Sequence, residues 1–92
     1  MATNDSVDFG ARRAEQMKAE RRARLDAEKT QLQGIVALYE QTIPQMEAAL
    51  SGPHDPALEE ETKLGLARMR AYIAKAKVRI GDIDAELLKL TS

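Results

Sequence analysis

A chain of 92 residues with 14 Lys+Arg, 15 Asp+Glu, one His and no Cys has room for one small domain and none for a second core. The missing Cys excludes disulfides, thiolate nucleophiles and Cys-based zinc sites, and a net charge of −1 gives no global attraction to nucleic acid or anionic lipid. Residues are 43% hydrophobic, but Ala supplies more of them than any other type, so the core must be small and a large buried active-site cavity is not expected.

Residues 1–8 contain no basic start and no apolar stretch, so no secretory signal is visible and a flexible N-terminal tail is predicted. A single helical domain is predicted over residues 9–92. Its first arm spans about 9–50 and carries Leu32, Val36, Tyr39, Ile43, Met46 and Leu50 in alternating steps of four and three. That spacing is a heptad seam. Pro44 falls inside the arm, where it removes a backbone donor and crowds the preceding turn. The seam crosses it in phase, which predicts a kink; the alternative is a break near Thr42 and three helices.

The turn 51–55 reads Ser-Gly-Pro-His-Asp. Gly52 is suited to a left-handed helix C-terminus and Pro53 to a stop. Asp55 is suited to an N-cap with Pro56 at the first helical position, and Glu59, Glu60 and Glu61 lie near the positive end of the helix dipole. The second arm, about 56–90, places Leu66, Met69, Ile73, Ala76, Ile80, Ile83, Leu87 and Leu90 on an unbroken heptad seam. Two seams joined by so short a turn predict an all-α antiparallel helical hairpin. No segment alternates with the period of a strand.

Charge selects a register. Residues 31–50 hold acids and no base, whereas residues 63–80 hold bases and no acid. Matching them places Glu47 by Lys63, Glu40 by Arg70 and Glu28 by Arg79, with Asp26 against Asp84 as a mismatch and Gly65 opposite Thr42. Each exposed pair contributes only about 0.2–1 kcal/mol.

Apolar surface is then left over. One flank holds Ile35 near Tyr72 and Ala49 near Leu58, wider than a two-stranded seam requires. The C-terminal end holds Ile83, Leu87, Leu88 and Leu90 opposite Met17, Lys18, Arg21, Arg22 and Lys29, and long basic stems cover apolar surface only in part. A second chain, identical or foreign, is expected to pack there into a larger bundle. The expected protein interface is Ile35, Leu58, Tyr72, Ile83, Leu87, Leu88, Leu90 and Met17.

Catalytic, cofactor and metal sites are not expected. Ser51, His54 and Asp55 cluster at a hairpin tip, which offers neither a rigid pocket nor an oxyanion site. The acids at 59–61 point in different directions around a helix, without a calcium-loop pattern. The function expected is non-enzymatic: a hairpin that self-assembles or caps another protein, as an assembly component, adaptor or inhibitor of bacterial or phage type. No membrane contact and no small-molecule substrate are expected, and the expected location is cytoplasmic, or inside a host cell if phage-encoded.

Two alternatives rest on charge. Residues 11–30 are basic overall, and Arg12, Arg13, Arg21, Arg22 and Arg24 could contact nucleic acid or an acidic partner, although Glu15, Glu20, Asp26 and Glu28 interleave with them. The acidic tip (Asp55, Glu59, Glu60, Glu61) resembles, in outline, the acid-tipped coiled-coil hairpins that enter the secondary channel of bacterial RNA polymerase. That resemblance implies regulation of a nucleic-acid enzyme.

Overall fold

In the computed structural model, the backbone is described for residues 2–91 and side chains for residues 9–91. Two α-helices, α1 (Ala2–Ser51) and α2 (Pro56–Thr91), form an antiparallel hairpin. The expected arms match within a residue at three of four ends. At the fourth, α1 carries helical backbone back to Ala2, beyond the start near residue 9 read from the sequence. Pro44 lies within the continuous α1, so the three-helix alternative does not hold. Its missing N–H would have bonded the carbonyl of Glu40; just upstream, Thr42 Oγ1 donates to the carbonyl of Leu38 at 2.8 Å.

The turn is built from side-chain caps. Asp55 Oδ1 accepts from the N–H of Ala57 at 3.0 Å, and its own carbonyl accepts the first helical bond, from Glu59 N, at 3.0 Å. Asp55 is therefore the N-cap of α2, with Pro56 at the first helical position where it has no donor to lose. The other end differs from expectation. No glycine among the described residues adopts positive φ, so Gly52 does not form a left-handed cap. Ser51 takes that role instead: its Oγ donates to the carbonyl of Ala48 at 2.8 Å, satisfying a group the helix end leaves without a partner.

The hairpin is a rod of 80 × 18 × 15 Å. Its radius of gyration is 22.2 Å, against about 12 Å for a compact domain of this length. Two helices side by side, each about 10 Å across, have only one seam in which to bury anything. Among the described residues, the buried side chains are Leu25, Val36, Leu66, Ala76 and Ile83, all at seam positions, with Ile83 at 0% exposure. Because α1 is longer, it overhangs α2 at the open end. Arg22 Nη2 reaches the carbonyl of Leu90 at 3.2 Å, so residues 2–16 project roughly 20 Å beyond the end of α2 at 1.5 Å per residue.

Register departs from the charge-matched alignment. Glu28 takes a two-pronged bond from Arg79, as expected. Glu47 pairs with Arg70 at 2.8 Å, however, and Glu40 with Lys77 at 3.4 Å, each a heptad further along α2. Lys63 instead pairs with Glu59 on its own helix at 2.9 Å. Gly65 faces Met46, whose Cε lies 3.1 Å from where a Cβ would stand, and not Thr42. Exposed pairs are too weak to set a register against packing; placing the Met46 thioether over a glycine is the kind of large-into-small fit that sets it.

Candidate interaction surface

At the open end of the hairpin, ion pairs flank an apolar seam that includes Leu25 and Ile83. Lys29 occupies a seam position, and its ammonium reaches Asp84 at 2.6 Å. The stem thus covers the seam while the charge exits at the flank. This contact also removes the expected clash of Asp84 with Asp26. Arg21 pairs with Glu86 at 3.1 Å, and Arg22 caps the last carbonyls of α2, where positive charge complements the dipole. Two of the five arginines read as partner contacts are thus tied to α2. Arg12, Arg13 and Arg24 are exposed.

The expected interface residues divide into three groups. Ile83 is fully enclosed by the hairpin and has no surface to offer a partner, which corrects its assignment. The reason is its place on the inner seam of α2, which faces α1. Ile35, Tyr72, Leu87 and Leu90 are half-buried. Tyr72 packs edge-to-face on Tyr39 with ring centroids 5.3 Å apart, so much of that flank is closed from within. Leu58, Met17 and Leu88 are exposed, Leu88 to 71%.

Exposed apolar residues also occur where no interface was read: Phe9, Leu38, Leu64 and Val78 are each more than half exposed. A single exposed apolar side chain carries no information. Leu64, Val78 and Leu88 do, because steps of fourteen and ten residues, two heptads and then a heptad plus three, keep them on the outer side of α2. The signal was present in the sequence, but the positions between them are mostly small and do not stand out in a search for large apolar residues. The matching outer line of α1 also carries small residues, Ala23, Ala27, Gly34, Ala37 and Ala48, but Gln16, Glu20, Thr30 and Gln41 interrupt it and it holds no large apolar side chain.

At the tip, His54 Nδ1 lies 2.6 Å from the carbonyl of Gly52 and must donate to it, while Nε2 lies 3.2 Å from Glu59. Both contacts are satisfied together only by the imidazolium. The bond to Gly52, and then that to Glu59, raises the His54 pKa above the ordinary histidine value. Glu59 is held below the usual carboxylate range, first by Lys63 and then by His54. Of the four acids at the tip, Asp55 and Glu59 are therefore engaged locally. Among the described residues, no group of three or more His, Asp or Glu is placed to hold a metal ion, and no helix is long and apolar enough to cross a membrane. No family model, no curated protein and no solved structure matches this chain.

Proposed function

We propose that this chain is a non-catalytic interaction module, a helical hairpin whose outer apolar side chains are covered by another protein chain, in the first instance a second copy of itself. The observation that carries the reading is the alignment of Leu64, Val78 and Leu88 along the outer side of α2, each more than half exposed. These three lie about 21 and 15 Å apart along the helix and are joined only by the Ala and Gly positions between them; an apolar strip rimmed by charges marks a protein contact more than isolated residues do. A rod 15 Å thick supports the non-enzymatic part, since catalytic sites are commonly concave and shielded from water.

Solution mass by light scattering after size exclusion, followed from micromolar to millimolar concentration, tests it. Self-assembly predicts a mass above that of one chain, constant if the assembly is tight and rising with concentration if it is weak. A single-chain mass at every concentration would contradict it.

A further inference from the structure

Leu64 and Leu88 are the ends of a series. Between them α2 presents Ala67, Ala71, Ala74, Val78, Gly81 and Ala85, in alternating steps of three and four that match the inner seam. All of these residues are exposed, and the space beyond Gly81 is open. α2 therefore carries two heptad seams on opposite sides. The inner one is covered by α1; the outer one runs about 36 Å along the helix at 1.5 Å per residue with nothing over it.

We infer that the outer seam of α2 packs antiparallel against the same seam of a second copy, giving a dimer with the order α1, α2, α2, α1. This deepens the proposed self-association by naming its surface and its direction. In the antiparallel alignment that superposes the two seams, Leu64 of one copy meets Leu88 of the other, Ala67 meets Ala85, Ala71 meets Gly81, and Ala74 meets Val78. Every layer is filled, and each central layer sets a small residue against a small or medium one. Backbones can thus approach closely, which gives Gly81 a role that a single hairpin does not.

Charge bears on the direction. One column flanking the outer seam runs Glu61, Arg68, Lys75, Asp82 and Lys89, and the other Lys63, Arg70, Lys77 and Asp84, so both are basic through the middle of α2 and turn acidic at Asp82 and Asp84 before Lys89. Antiparallel pairing brings Asp82 of one copy between Arg68 and Lys75 of the other; on the second flank Asp84, Lys63 and Arg70 are already paired within each hairpin, with Lys29, Glu59 and Glu47. Like charges meet around the two-fold axis near residue 76, at Lys75 and Lys77, and again where Lys89 of one copy falls between Glu61 and Arg68 of the other. Parallel pairing would set one flank against the other, with Lys63 facing Arg68 and Arg70 facing Lys75 as like charges, while Lys77 faces Asp82 and Asp84 faces Lys89. Opposite charges across a helix pair select direction and partner even where each pair contributes little affinity.

Because the chain has no Cys, a single introduced cysteine gives one nitroxide label per copy. Pulsed dipolar spectroscopy on Lys75→Cys and Glu61→Cys tests the arrangement, with circular dichroism confirming that each stays helical. Antiparallel pairing puts the residue-75 labels within about 20 Å of each other. The residue-61 labels should lie roughly 45 Å apart, from their thirty-residue offset along the axis. Short distances at both positions would mean parallel pairing and overturn the inference. An oligomeric mass with long distances at residue 75 would place the contact on another face, overturning the inference while leaving the interaction module standing. A single-chain mass at millimolar concentration would overturn both.

Discussion

Replacing Ile83 by Ala should unfold the hairpin more easily than any change at its outer surface. Ile83 is the one large side chain at 0% exposure. Three carbons are removed, and at about 0.8 kcal/mol for each buried methylene the transfer part is about 2.4 kcal/mol. A cavity contribution adds to this, and measured Ile→Ala losses run about 2–5 kcal/mol. A rod only two helices thick collapses around a void more easily than a globular core does, which favours the lower half, about 2.5–3.5 kcal/mol. For a chain of this size, that corresponds to roughly 10–25 °C in melting temperature. Leu88→Ala is the matched control: at 71% exposure it should change stability by less than about 0.5 kcal/mol in dilute solution. The assay is thermal and urea unfolding followed by circular dichroism at micromolar concentration. Equal losses for the two variants, or a negligible loss for Ile83→Ala, would refute the separation of inner seam from outer surface.

Asp55→Ala removes the N-cap of α2 and should cost about 0.5–2 kcal/mol, measured by the same unfolding; an unchanged midpoint would mean that the cap is dispensable. Because the folded-state pKa of His54 is raised, its contribution is fully present below about pH 6.5 and lost as pH rises through the folded value. His54→Gln should therefore destabilise in mildly acidic buffer and have a shrinking effect above neutrality, and Glu59→Gln should lower the His54 pKa seen by NMR titration. Gly34→Ala meets nothing within 4 Å and should stabilise by up to about 1 kcal/mol, whereas Gly65→Ala should gain less because the Met46 methyl must move aside.

The hairpin was legible because its signals are local and repeated: two seams in phase, a six-residue stop-and-start, and Asp55 before Pro56. What misled were single weak cues. Glu47 and Glu40 have a base at either of two positions a heptad apart, and exposed charge cannot choose between them; the Met46 and Gly65 fit is a tertiary fact. Gly52 before Pro53 looked like a left-handed cap, but Ser51 satisfies the carbonyls without it. Ile83 was assigned outward because Arg22 and Lys29 face its end of α1, and only the geometry shows the Lys29 stem leading its charge to Asp84. The line of Leu64, Val78 and Leu88 on the outer side of α2 keeps the period of the inner seam, with small residues between. Alanine and glycine hid it, since they satisfy a helical period without adding much apolar area.

The most direct measurement is the mass of the double variant Val78→Lys, Leu88→Lys beside that of the native chain at matched high concentration. Both positions are exposed and outside the inner seam, so helicity and melting of the dilute protein should be retained. Association through the outer surface predicts an oligomeric native chain and a single-chain mass for the variant. An oligomer that survives both substitutions, or a variant that loses its helices along with its partner, would contradict it.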